Sequence, residues 1–330
     1  MKGLCVAIAS AALAICPAAH ADTPPSIWER ARDPEAAAAF DLHRAVQQRL
    51  IRTSVAEVDF GERGRVLAML ERAGAERSKN ALLRFDLGEV YWLLENHVRA
   101  AQVLKAAVVE FPDHPAVENA WLRLALACGR IGDHPCEQSA YAQVLRIETE
   151  AIRRITPTLN LAETKMHLGD LTSAIDGYRE VIQLSGRVPA RESAPLASWG
   201  LAVALDRAGD NAAAEKEARF ALELERSMGR SNLLHDKSIV FFVPEYEIYW
   251  YEGLGAAGLA RVATSARDRA AGWRQAERSF GEYVKAAERK NDRWLPVAKA
   301  RLNQARLERE RAEKAALREP APSPDKDIDL

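Results

Sequence analysis

Residues 81–114 read ALLRFDLGEVYWLLENHVRAAQVLKAAVVEFPDH. Gly88, Ala100 and Ala107 are small enough for two antiparallel helices to approach closely, while Leu87, Tyr91 and Leu104 fill the space around them. Pro112 closes the stretch at a point where a helix cannot continue. The segment therefore predicts a pair of packed helices.

The pattern returns three times downstream. From Glu118 it runs through Trp121, Leu124-Ala125, the turn Gly132-Asp133 and Tyr141. From Ile155 it runs through Leu161-Ala162, the turn Gly169-Asp170, Ala174 and Tyr178. From Pro195 it runs through Ala202, the turn Gly209-Asp210, Ala214, Ala218 and Ala221. Each Gly-Asp turn separates a first helix, A, from a second, B. Glycine takes the left-handed backbone that ends one helix, and aspartate caps the next. Pro135 follows in a first helical turn, where its missing N–H costs nothing. Glu137 fills a slot where the second unit wants alanine.

The quoted stretch resembles the tetratricopeptide repeat, a unit of about 34 residues marked by Leu-Gly-x-x-Tyr, a later Ala-x-x-x-Phe and a closing Pro. Leu104 stands where that pattern has Phe. The resemblance covers residues 81 to 289 and implies an all-α fold, a solenoid of antiparallel helix pairs in about five units. The other architecture open to such a sequence is an alanine-rich helical bundle without solenoid stacking. The fifth unit is divergent. It begins near Ile248 with Leu254-Gly255 and resumes at Ala276 and Phe280, with an insertion between its helices around Ala263 to Ala271.

On this basis residues 1–21 are expected to be a signal peptide, 22–80 an N-terminal helical pair, 81–290 the solenoid, 291–318 a C-terminal capping helix and 319–330 a disordered tail. The N-terminal pair, Pro34 to Arg52 and Glu62 to Arg77, is either a cap or a degenerate repeat, with Leu42, Val46 and Leu50 on one face. The last helix begins with Leu295, Val297 and Leu302, which suit covering the open end of a solenoid. Its later part, around Glu308 to Lys314, is polar all round and is expected to project into solvent. The stretch from Ser238 to Pro244 is β-branched and aromatic, and is expected as an extended connector on the fourth and fifth units.

Lys2, the apolar run from Leu4 to Ile15, and Ala19-His20-Ala21 before Asp22 have the form of a cleaved export signal. The run is too short to span a bilayer, so stable insertion of the mature chain is not expected. These features predict a periplasmic protein. The alternative, a lipoprotein anchored through Cys16, meets bulky Ile15 where such signals want a small residue. Removal of the signal also removes Cys5 and Cys16 and leaves Cys128 and Cys136. They flank the Gly132-Asp133 turn, where residues of a helical hairpin face each other, and an oxidising compartment would join them. The other possibility is a pair of small buried fillers.

A net charge of −1, with bases interleaved among acids, gives no stripe for nucleic acid. No nucleophile elbow, phosphate loop or zinc-protease motif is present, so neither an enzyme nor a cofactor is expected. His114 and His134 bring no further ligands at metal spacing. The functional surface is then the concave wall, which the family builds from helix A. Carried over, the resemblance points to Phe85, Glu89, Trp92, Leu122 and Trp199, with Arg130 and Arg207 at the edge. The same side chains could instead pack on the N-terminal helices. Members holding a chaperone's C-terminal carboxylate have lysine and asparagine where Phe85 and Glu89 stand, so that activity is not implied. The expected role is a protein-interaction scaffold in an envelope machine. The alternative is a regulatory or peptidoglycan-binding protein using Tyr246, Tyr249, Trp250 and Glu252.

Overall fold

The computed structural model describes residues 24–55, 60–187, 192–237, 240 and 242–320; the expected signal, residues 1–21, and residues 321–330 lie outside them. Among the described residues there are fourteen α-helices and no strand. The chain divides into two compact units, one from Met1–Ala190 and Leu234–Pro244, the other from Arg191–Leu233 and Glu245–Leu330.

Unit 1 opens with a single short turn, α1 (Ile27–Arg32), then α2 (Pro34–Val55) and α3 (Phe60–Arg72). Three hairpins follow: α4 (Ala81–Leu93) with α5 (His97–Glu110), α6 (Val117–Ile131) with α7 (His134–Ile147), and α8 (Ala151–Leu168) with α9 (Leu171–Ser185). Within this unit α2 and α3 pack on α4, α6 packs on α4 and α5, and α8 packs on α7. This is the stacking of tetratricopeptide-type helix pairs.

The second and third hairpin turns are built by the same device. Gly132 and Gly169 have φ of 74° and 88°, and the aspartate after each accepts a backbone N–H through its side chain, Asp133 from Cys136 and Asp170 from Ser173. Asp133 and Asp170 also donate their own N–H groups to the carbonyls of Cys128 and Lys165. One residue thus seals the end of one helix and starts the next. In the first hairpin Glu95, at φ 58°, takes the left-handed place and Asn96 provides the cap. A non-glycine residue tolerates this backbone only at a cost, so the turn relies more heavily on its cap.

Close packing between A and B helices follows the small residues. A Cβ on Gly88 would collide with the Leu104 side chain, and Ala100, Leu104 and Ala107 are fully buried. Glu137, the residue out of pattern in the second unit, is buried beside His134, whose Nδ1 lies 3.1 Å from its carboxylate.

Unit 2 holds α10 (Ser193–Arg207) paired with α11 (Asn211–Ser227), α12 (Ile248–Val262) paired with α13 (Ala266–Glu288), and α14 (Leu295–Ala316). Asp210 caps α11 after Gly209 at φ 93°, in the same way as the turns of unit 1. The insertion expected between the fifth pair's helices is not a loop. Only residues 263–265 separate α12 from α13, and the extra length is taken up as additional helix at the start of α13.

Two further expectations are corrected. The polar part of α14 lies along α13 and does not project freely, because its charges meet opposite charges there. Arg309 Nε sits 2.5 Å from Glu277, Arg274 lies 3.0 Å from Glu313, and Glu319 accepts the N–H of Ala266. The connector belongs with unit 1 from Leu234 to Pro244. Leu234, Val240 and Phe242 are buried apolar residues there, whereas Ser238, Ile239 and Phe241 lie outside the described residues.

Candidate functional site

In unit 1 the A helices α4, α6 and α8 carry the positions expected to face a partner. Trp92 on α4 and Leu122 on α6 are half-buried, resting on the core with part of each side chain accessible. Arg123 on α6 reaches back to α4. Its guanidinium lies 4.4 Å from the Trp92 ring centre, and its Nε is 2.5 Å from the Glu89 carboxylate. Both charged side chains retain about 20% exposure. Glu89, Trp92, Leu122 and Arg123 thus form one mixed patch: an aromatic ring, an aliphatic neighbour and an ion pair across two helices. Arg130, further along α6, is also half-buried.

Phe85 stands differently. It is buried, with its ring edge-on to Phe111 at 6.4 Å and to His114 at 5.6 Å. Beside it Asp86 ties α2 to α4, at 2.7 Å from both His43 Nδ1 and Gln47 Nε2. Burial raises the Asp86 carboxyl above its ordinary range despite these bonds. From α3, Arg63 donates to the Leu93 carbonyl at 2.8 Å. The N-terminal pair therefore docks on α4, and Trp92 and Arg123 remain partly exposed.

Between α6 and α8, Arg153 bridges two carboxylates, at 2.7 Å from Glu118 and 2.6 Å from Glu148. Burial and the hydrogen bond with Glu148 push the Glu118 carboxyl up to about 7. At the other end of the hairpin, His134 and His167 stack with ring centres 5.0 Å apart. His134 and His114 thus serve separate contacts and do not pair.

Trp199 and Arg207 belong to unit 2 and are interior residues, which corrects their expected place on an accessible wall. Trp199 is 2% exposed, and its indole N–H donates to Glu225 at 2.5 Å. The Arg207 side chain is wholly buried, with Nη2 donating to Glu247 at 2.6 Å. Its guanidinium lies over the rings of Trp250 and Trp294, at 4.6 and 4.9 Å. A buried arginine with a carboxylate at one edge and two indoles close to its guanidinium is held out of water and orients nothing at a rim. Nearby, Arg301 of α14 reaches Asp206 at 3.1 Å and Glu215 at 2.9 Å.

Two of the aromatics expected to serve a sugar polymer, Trp250 and Tyr246, are committed elsewhere. Trp250 is fully buried and donates to Asp206 at 2.9 Å, and the Tyr246 hydroxyl donates to Asp292 at 2.8 Å. A sugar platform needs an open ring face, and Trp250 has none.

Sequence inspection missed Arg123, because it lies off the family's wall positions. Only its neighbour Leu122 marked that stretch of α6. Cys128 and Cys136 are joined as a disulfide across the α6–α7 turn, with Cα atoms 5.9 Å apart. Among the described residues no helix is long and apolar enough to cross a membrane.

No protein-family model matches the sequence, and no curated protein matches it. Solved structures do show likeness. MamA from Desulfovibrio magneticus RS-1 is 18% identical, with 57% of this chain and 95% of that chain covered, at a TM-score of 0.46. A tetratricopeptide repeat protein from Parabacteroides merdae ATCC 43184 is 13% identical, with 81% and 99% covered, at 0.47. A signal-transduction ATPase with a tetratricopeptide repeat sensor, from Pyrococcus horikoshii, is 13% identical over 84% of this chain and 45% of that one, at 0.49. No residue role is carried over from any of them.

Proposed function

We propose, taking the tetratricopeptide-type fold as the premise, that the chain is a non-catalytic scaffold that binds other proteins through unit 1. The observation that carries this is the Trp92–Arg123–Glu89 cluster beside Leu122. A partly exposed indole with an arginine over it is the kind of anchor that dominates interface energetics, and an adjoining aliphatic side chain extends the apolar floor. The complementary partner segment would present an apolar side chain to Trp92 and Leu122 and a carboxylate to Arg123.

The location we propose is the periplasm, with cleavage before Asp22. Lys2, the apolar run that follows and Ala19-His20-Ala21 support it, and so does the Cys128–Cys136 disulfide, a bond that persists in oxidising compartments. The partners are then envelope proteins, and the assembly is one of the envelope machines for secretion, motility, pilus formation or wall synthesis.

The test is cross-linked co-purification of the tagged protein from cell envelopes, with Leu122→Ala and Arg123→Ala variants alongside. A discrete set of proteins should accompany the wild type and be lost from both variants, while the helical circular dichroism signal is kept. Equal capture by wild type and variants would remove this face as the binding surface. In the same preparation, mass spectrometry should find a mature chain starting at Asp22, and a full-length cytoplasmic chain would overturn the location.

A further inference from the structure

The turn between α6 and α7 gathers more chemistry than a hairpin needs. Among the described residues, Cys128, Asp133 and Cys136 form a group whose ligating atoms all lie within 4.8 Å of one another. We propose that, once the disulfide is reduced, this turn binds a thiophilic divalent cation of the zinc class, with the two sulfurs and the Asp133 carboxylate as ligands.

The geometry suits such an ion. Sulfur ligands sit about 2.3 Å from zinc and carboxylate oxygens about 2.0–2.2 Å, so ligands sharing one ion lie at most roughly 4.6 Å apart, close to the present grouping; on reduction the two sulfurs would part to make room for the ion. The turn is also held by bonds that do not depend on the disulfide. The Asp133 N–H donates to the Cys128 carbonyl at 2.9 Å, and the Glu137 N–H donates to the Asp133 carbonyl at 2.9 Å. The Cys136 N–H donates to the Asp133 side chain at 3.2 Å. Opening the S–S bond therefore leaves all three ligands tied to one short loop. One carboxylate oxygen caps α7, and a carboxylate has a second for a cation.

Burial is graded across the group: Cys128 is buried, Cys136 intermediate and Asp133 exposed. An ion would enter from the Asp133 side and keep a fourth position for water, the arrangement of open zinc sites. His134 is next in sequence, but its ring is stacked on His167 and its Nδ1 lies 3.1 Å from Glu137. It is not one of the ligands.

The two states exclude each other. Reduction breaks the S–S bond and takes two electrons and two protons from a dithiol, which becomes a disulfide. Metal binding then displaces the two thiol protons to solvent, and the ion keeps its charge. Reoxidation by a disulfide-class oxidant would expel the ion. The same clasp between α6 and α7 is covalent in one condition and coordinative in the other. This inference is independent of the interaction face.

The experiment uses the full mature chain, oxidised or reduced with a dithiol, desalted without air and titrated with Zn²⁺ against a chromophoric chelator. Co²⁺ replaces zinc in a parallel titration to report thiolate ligation by its absorption. Reduced protein should take up one ion per chain and oxidised protein none. Cys136→Ser should abolish the thiolate–cobalt absorption. Asp133→Asn keeps a good helix cap, so it should fold, and it should weaken zinc binding about tenfold or more. Zinc should also raise the unfolding midpoint of reduced protein alone. No uptake by reduced protein, equal uptake by oxidised protein, or unchanged affinity in Asp133→Asn would each overturn the site.

Discussion

Arg123 on α6 sits over the Trp92 ring on α4, its guanidinium 4.4 Å from the ring centre, while Glu89 holds its Nε at 2.5 Å. The pair links two successive A helices at a partly exposed position. A double-mutant cycle with Arg123→Ala and Trp92→Ala should give a coupling of about 0.5–1 kcal/mol in urea unfolding. Trp92→Ala alone should cost about 2–3 kcal/mol, less than a fully buried ring. Strictly additive effects would show that the contact contributes nothing.

Arg207 and Glu247 form a fully desolvated pair, with two indoles close to the guanidinium. Removing one partner leaves the other charge buried without a counterion. Arg207→Ala should therefore lose about 3–5 kcal/mol, and the double change Arg207→Met with Glu247→Gln should recover much of it. Equal losses in the single and double variants would refute this account of unit 2.

Burial raises the Asp206 carboxyl from 3.8 to about 6, although Arg301 and the Trp250 N–H favour its ionised form. The unfolded chain releases this proton first as the pH climbs. Asp206 thus contributes its full stability below 3.8 and loses it as the pH rises through about 6. Each pKa unit corresponds to about 1.4 kcal/mol. Relative to Asp206→Asn, the wild type should lose stability across that window. A difference that does not change with pH would contradict the shift.

Two glycines test close packing against different obstacles. In Gly88→Ala the new methyl meets the Leu104 side chain, which can give way, and the cost should be about 1–3 kcal/mol. In Gly258→Ala it would stand 2.6 Å from the Glu215 carbonyl oxygen, a backbone atom that cannot rotate aside. The second variant should be the more damaging in thermal melts. The reverse order would mean that α11 and α12 separate more easily than α4 and α5.

Reducing Cys128–Cys136 in metal-free protein should lower stability by about 2–3 kcal/mol, as expected for a closed loop of this length, with a sequence separation of 8. Urea midpoints with and without reductant measure it, and intact mass confirms the two added hydrogens. Identical midpoints would mean that the bond constrains nothing the turn does not already fix.

The hairpins were readable because their determinants are local. Gly132-Asp133, Gly169-Asp170 and Gly209-Asp210 each specify backbone and cap within two residues, and the structure builds all three turns from them. The first hairpin was legible from Gly88 and Ala100 despite lacking such a turn. What escaped was pairing at a distance. Glu247 lies 40 residues from Arg207, so nothing near Arg207 announced that it would be buried. Arg123 escaped for a related reason, since its value comes from Trp92 on another helix. The wall positions on α10 were misplaced because a helix whose residues are nearly all buried has no face that sequence alone can call open.

Arg301 and Glu215 are 86 residues apart, and Asp206 is made earlier still. On the ribosome those two carboxylates emerge long before their cation. The hairpins of unit 1 pack on their sequence neighbours, and its last buried side chains, Leu234, Val240 and Phe242, are also made before α14. Unit 2 cannot bring Arg301 to Asp206 and Glu215 until α14 has left the exit tunnel. A chain that stalls before residue 301 therefore carries a finished N-terminal half and an unclosed C-terminal one, which protein quality control can recognise.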